Sequence, residues 1–229
     1  MKRLLVMAVA MVVVGGVTLA QEVKPAAVVE ESPDKGLSFK ATLDFYSAYV
    51  WRGCVLNDRP VWQPGATASY STGDYGAFSL GVWANYDMTE RNKSHTFGGL
   101  NEIDYTVSYS IDVRDFSLEV GHVWYTFPKA NGSDYFGSTH EVFGSVAYNN
   151  EIVTPSVSVS YDCGAVDGFY GNVALNKEVE VADRLTLGMD VSLGAGDSDY
   201  LDYYFGESSS GLMDFTVDVY ASYALTDNV

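Results

Sequence analysis

Basic residues are scarce in this chain. Thirteen Lys and Arg stand against 30 Asp and Glu, for a formal charge of −17 over 229 residues. A polyanionic backbone needs clustered Lys and Arg, so nucleic acid is excluded as a partner. A polybasic contact with anionic lipid is excluded for the same reason. Only 3 His and 2 Cys are present, and no Cys/His spacing forms a metal motif. His95 and His140 fall at or near expected loops, and His122 lies beside Trp124 on an apolar row. None sits with a nucleophile or an acid pair, so the chain does not read as an enzyme and no cofactor or metal is expected. Long apolar runs are absent except at the start, and only 19% of residues are charged. A helical protein of this size would carry more Leu, Lys and Glu, and no helical period follows residue 36.

The start reads as an export signal. Lys2 and Arg3 precede the run LLVMAVAMVVVGGVTLA, and Thr18-Leu19-Ala20 fits a small-residue cleavage site before Gln21. Loss of residues 1–20 leaves a charge of −19. Residues 21–36, with Pro and mixed charge, read as a flexible periplasmic tail, and 37–229 as one domain. Export brings Cys54 and Cys163 into an oxidising compartment, where a disulfide between them is an expectation.

What the chain does contain is alternation. In NEIDYTVSYSI (101–111), Ile103, Tyr105, Val107, Tyr109 and Ile111 share one face of a strand, and Glu102, Asp104, Thr106, Ser108 and Ser110 the other. The same pattern predicts strands at about 38–50, 61–71, 76–87, 116–126, 140–148, 155–161, 169–180, 185–194 and 212–225. Many approach ten residues, the length of a tilted membrane-spanning strand. Short turns at 72–75, 112–115, 149–153 and 181–184 alternate with longer segments at 51–60, 88–100, 127–139 and 195–210. The segment at 162–168 is the weak case. Short periplasmic turns and long outer loops are the outer-membrane pattern. Tyr49, Trp51, Trp124, Phe127, Tyr148 and Tyr223 fall at or near strand ends, where interfacial girdles sit. A secreted sandwich or lipocalin-like barrel is the soluble alternative, and its apolar faces would need a shared core. The expected fold is therefore all-β: an antiparallel transmembrane barrel with the apolar face in lipid and water inside.

Three stretches carry a resemblance. LDFYSAYVWRG (43–53), PVWQPGATASYSTG (60–73) and GVWANYD (81–87) resemble the opening of the TorF-type outer-membrane porin family. Its pattern is Asp-Tyr-x-x-Arg-Gly, then Pro-x-x-Gln, then Gly-x-Trp-x-x-Asn/Asp. About 45 residues match; Tyr-Val-Trp before Arg52-Gly53, and Cys54, depart from the pattern. The resemblance implies outer-membrane location and a barrel fold rather than a particular solute. The end ALTDNV lacks a terminal aromatic, so about 10 strands are expected here and 12 in the complete protein, with closure on the 10 strands present as the alternative.

The expected chemistry is that of a lumen. Asp44, Glu102, Asp104, Glu119, Asp190, Asp214 and Asp218 lie opposite the apolar sets, with Lys40 and Lys177 the main basic residues on strands. Such a wall favours cations. Arg52, Asp58 and Arg59 are placed at the outer mouth, where Arg52 either lines an eyelet or pairs with a strand carboxylate. Gly53 after Arg52 suggests a backbone demand. The loop 194–211 carries Asp197, Asp199, Asp202 and Glu207 without ordered EF-hand spacing, and reads as a solvated acidic loop. Its Tyr200, Tyr203, Tyr204 and Phe205 stack on a sugar or fold over the pore. The expected function is passive diffusion of small hydrophilic solutes across the outer membrane, with mild cation preference. The alternative is a non-conducting barrel whose outer loops bind a partner or polysaccharide, and a sealed interior would favour it.

Overall fold

The computed structural model describes residues 11–13, 35–88, 99–128 and 138–224. Ten long strands form one antiparallel meander: β2 (Gly36–Tyr46), β5 (Val61–Ser71), β6 (Ala77–Asp87), β7 (Gly99–Val113), β8 (Phe116–Thr126), β9 (Thr139–Tyr148), β10 (Thr154–Asp162), β11 (Gly168–Ala182), β12 (Leu185–Gly196) and β13 (Gly211–Tyr223). Each pairs with its neighbour in sequence order. A three-residue strand, β1 (Met11–Val13), pairs with the end of β13 (Met11 opposite Tyr223). Two short strands, β3 (Tyr49–Trp51) and β4 (Cys54–Asn57), make a separate hairpin, and one helix, α1 (Ser198–Phe205), precedes β13.

The ten expected strands are all present, and the alternation holds along them. Leu37, Phe39, Leu43 and Phe45 on β2 are exposed on one face, as are Phe78, Leu80, Val82 and Tyr86 on β6 and Phe215, Val217 and Val219 on β13. The opposite face is polar. Gln63 donates to Asn85 (2.8 Å) and Asn85 to Asn101 (2.7 Å), which links β5, β6 and β7. Ser69 meets Ser79 at 2.8 Å, and Asn176 donates to Asp190 at 2.7 Å. A sheet whose large apolar side chains point away from its polar side is inverted relative to a soluble domain.

Outward aromatics recur at two levels. Trp62 and Tyr70, Phe78 and Tyr86, and Phe116 and Trp124 are each eight positions apart on their strands. Neighbours at one level touch: Phe45 with Trp62 (6.2 Å between ring centroids) and Trp62 with Tyr86 (5.7 Å) near one end, Phe78 with Tyr109 (4.9 Å) and Phe116 with Tyr148 (5.2 Å) near the other.

The turns at 72–76, 114–115, 149–153 and 183–184 are short, as expected, and Arg114 and Arg184 take positive φ (58° and 65°) there, the backbone tight hairpins demand. The 163–167 turn, at the other end, is also short. Most of the long connections at 88–100 and 127–139, with His95, falls outside the described residues, as do the tail at 21–34 and the segment after 224. The two remaining long connections are structured, against expectation. Residues 49–57 form the β3–β4 hairpin and 198–205 form α1. Neither was visible as periodicity, because a four-residue strand and a two-turn helix are too short to show one.

The sheet is strongly curled. The β3–β4 hairpin touches the concave side of β6 through Tyr49 and Trp83 (5.8 Å) and of β8 through Trp51 and Tyr125 (6.1 Å). At Gly53 an added Cβ would stand 3.1 Å from the Met213 carbonyl oxygen on β13. The first and last long strands therefore approach each other around the hairpin. Among the described residues no hydrogen-bonded ladder joins β2 to β13, so the expected closed barrel is found as a curled open sheet.

Candidate functional site: an arginine clasp inside the sheet

The hairpin is built to carry Arg52 inward. Arg52 and Gly53 form its two-residue turn, with φ of 45° and 80°. Two consecutive left-handed residues define the tight turn whose twist matches antiparallel strands, and Gly is the residue that tolerates the second position so close to β13. This is the backbone demand implied by Arg-Gly.

The guanidinium is gripped on every side. Nη1 and Nη2 donate to the two Glu141 carboxylate oxygens at 2.8 and 2.9 Å. Nη1 also donates to the Tyr200 hydroxyl (2.5 Å), and Nη2 to Ser160 (3.3 Å). Its carbon lies 4.2 Å from the centroid of Tyr170 and 4.5 Å from that of Trp51. Tyr125 donates to Glu141 at 3.2 Å. Arg52 is 8% exposed and Glu141 1%. Burial works against the arginine's charge, but Tyr200, Glu141 and Tyr125 outweigh it and hold it protonated. A fork-to-fork arginine–carboxylate pair, stacked between rings, is geometry that lysine cannot reproduce.

Among the described residues, the buried apolar cluster sits around this pair. Tyr49, Trp51, Val61, Val123, Tyr125, Val166, Tyr170 and Tyr200 form one buried cluster at the loop end of the sheet. Helix α1 seals it. Asp197 caps the helix by accepting from Tyr200 N (2.9 Å) and also takes Phe169 N (2.9 Å), which fastens α1 to β11. Gly206 ends the helix in the left-handed conformation. Tyr200 is fully buried, and burial holds its hydroxyl protonated, far above the ordinary tyrosine range. Trp51 packs on Tyr204 at 5.2 Å. A cavity of about 40 Å³ remains among Trp51, Leu56, Glu102, Tyr125, Tyr203 and Tyr204, room for about one water.

Residues 30–228 match the family described as "Bacterial protein of unknown function (Gcw_chp)". The chain belongs to that family. None of the curated proteins matches it. The family match runs through all ten long strands in one stretch. The clasp thus belongs to a Gcw_chp protein whose function the match leaves undefined.

The expected lumen acids divide into two groups. Glu102 and Asp104 are buried at the loop end, where Tyr49 hydrogen-bonds Glu102. Asp214 accepts from Tyr170 at 3.0 Å and stands beside Arg52. These three belong to the plugged end. Asp44, Glu119, Asp190 and Asp218 lie on the polar face, Asp44 near the loop end of β2 and the other three further along their strands. Lys40 shares that face, but Lys177 points outward, with Nζ donating to the Glu151 carbonyl.

Arg52 is set back within the loop end of the sheet. It is inside, paired with a strand carboxylate that is 89 residues away in sequence. Asp58 and Arg59 do not join it; they make an exposed pair of their own (3.3 Å), and Asn57, not Asp58, caps the turn through Arg59 N. Asp197 and Asp199 are a helix cap and a first-turn acid rather than parts of an unstructured loop. The expected disulfide is absent, and both cysteines are free. Cys54 lies inside beside Asp214, whereas Cys163 lies against the outward His140 at 3.1 Å, so the wall separates them. Glu141, Ser160 and Tyr170 were not singled out in the sequence, where Tyr200 stood only as one of four loop aromatics that stack on a sugar or fold over the pore. Glu141 does fall on the polar parity of β9, opposite Val142 and Tyr148, which is the one signal available for it.

Proposed function

We propose that this protein is an outer-membrane channel of the porin kind, with its apolar face in lipid, its polar face around water, and its loop-side mouth narrowed by the Arg52 hairpin. The observation that carries the reading is the inverted sheet. Two levels of outward aromatics eight residues apart stand about 20 Å apart along a strand tilted by roughly 40°, close to the thickness of an outer-membrane apolar band. Short turns at one end and structured connections at the other fit the same orientation. The TorF-type resemblance of 43–87 points the same way. In the membrane, β2 and β13 would meet to remove both edges. Asp44, Glu119, Asp190 and Asp218 would line the water-filled part and favour small cations.

One observation favours the non-conducting alternative, a barrel that binds a partner or polysaccharide through its outer loops. The hairpin and α1 pack a continuous apolar cluster across the loop end. Single-channel current across a planar bilayer with unequal KCl separates the two. Small discrete steps with a cation-selective reversal potential are expected. A correctly inserted but silent protein, silent also as Arg52→Ala, overturns the channel reading and leaves the loops as the working surface.

A further inference from the structure

Three side chains unused by the interior converge on the outer face. His122 on β8 and His140 on β9 both point outward, and Cys163 begins the turn after β10. Nε2 of His122 lies 3.0 Å from Nδ1 of His140, and the Cys163 sulfur lies 3.1 Å from that same nitrogen. All three atoms fall within 4.8 Å of one another. We propose that they bind a borderline-soft divalent metal ion, Zn²⁺ in the first place. The site is distinct from the Arg52 clasp and stands whether or not the protein conducts.

Protons alone satisfy this trio poorly. A single imidazole nitrogen either donates one proton or offers one lone pair, so Nδ1 of His140 serves one of its two neighbours in line and not both. A cation between the three atoms engages all of them at once. Zinc ligands at about 2.0–2.3 Å in a tetrahedron stand roughly 3.3–3.6 Å from each other, so the two contacts to His140 need to open by a few tenths of an ångström and the His122–Cys163 pair, within 4.8 Å, closes by about 1 Å at most. Two imidazoles and a thiolate select zinc-like ions over Mg²⁺ and Ca²⁺, which demand oxygen. Three protein ligands leave a fourth position for water.

The turn is held in place for this contact. Cys163 N donates to the His140 carbonyl at 3.0 Å. Thr139 Oγ1 donates to the fully buried Asp162 carboxylate (2.7 Å) and accepts from Ala165 N (2.9 Å). Asp162 Oδ1 accepts in addition from Gly164 N (2.9 Å) and Val166 N (3.2 Å). Gly164 lets the turn lie flat on β9, since a Cβ there would stand 2.6 Å from Thr139 Oγ1 and 3.1 Å from His140 N. On the other side, the His122 ring packs edge-on to Trp124 at 3.8 Å. Trp124 faces His140 across the ladder, so the site lies at the loop-side aromatic level, and Cys163 is exposed.

The test uses the full chain refolded in detergent, stripped with chelator under reducing conditions, and titrated with Zn²⁺ against a chromophoric competitor and separately with Co²⁺. One Zn²⁺ per chain is expected, with affinity falling at least a hundredfold in Cys163→Ser and in His140→Ala and unchanged in Cys54→Ser. Co²⁺ should give a thiolate-to-cobalt band in the near ultraviolet that Cys163→Ser abolishes. Cys163 lies on an exposed turn, and unaltered circular dichroism checks that its variant folds. Zn²⁺ binding that survives both substitutions, a Co²⁺ spectrum without the thiolate band, or no binding at all overturns the proposal.

Discussion

Arg52 and Glu141 share two parallel hydrogen bonds, 2.8 and 2.9 Å long, inside the curled sheet. Removing one partner strands a buried charge, which costs about 3–5 kcal/mol, whereas removing both as a shape-conserving apolar pair costs much less. Arg52→Ala and Glu141→Leu should each lower the urea midpoint by an amount in that range, and the double variant Arg52→Met with Glu141→Leu should recover most of it. Trp51 fluorescence in detergent or vesicles follows the transition. Equal losses in single and double variants would mean that the hairpin does not depend on the pair.

Gly53 tests the docking of the hairpin separately from its charge. Alanine there must hold φ near 80° and place a methyl 3.1 Å from the Met213 carbonyl oxygen and 3.2 Å from Asp214 Cβ. A cost of about 1–3 kcal/mol is expected. Trp51 emission should shift to the red as the hairpin loosens. Gly144→Ala, whose added Cβ meets only ordinary contacts at 3.8 Å, should cost less.

The two cysteines should react at different rates, because Cys54 is partly buried and Cys163 is exposed. Burial, assisted by Asp214, pushes the Cys54 thiol up to about 11. Its thiolate therefore appears only as pH climbs toward that value. In an unfolded chain the thiol ionises earlier, so Cys54 contributes stability that declines as pH rises from the ordinary thiol range toward 11. Near pH 7.5 a maleimide should label the exposed Cys163 first, and Cys163→Ser should remove the fast phase. Reduction should not change mobility on a gel. A mobility change in the exported protein would restore the cross-wall disulfide.

Selectivity should follow the open part of the polar face. Glu119→Gln and Asp190→Asn should each shift the reversal potential toward zero, because each removes an inward carboxylate. Asp58→Asn, exposed beside Arg59, should leave it unchanged. If Asp58→Asn matters and the wall acids do not, ions are sorted at the loops.

The strands were legible because each repeats a two-residue period over nine to fifteen residues, and Val61–Ser71 and Phe116–Thr126 were located to the residue. The Arg-Gly turn was legible in part, since glycine after a long residue implies a left-handed backbone. Its destination was not. Glu141, Ser160, Tyr170 and Tyr200 come from four later elements, and no local pattern encodes which of them meet Arg52. The His122–His140–Cys163 trio was hidden for the same reason. Its members are 18 and 23 positions apart, and only the β8–β9 ladder and the 163–167 turn bring them together.

The clasp also has an order in time. Arg52 is synthesised 89 positions before Glu141, and 148 before Tyr200. Until β9 joins the sheet, the guanidinium lacks Glu141, the carboxylate it grips in the folded protein. Docking can begin only after six neighbouring strands, β2 and β5 through β9, are in place, and finishes when α1 arrives. A single cation carried early in the chain thus has its full set of buried partners only when β9, β10, β11 and α1 are all in place.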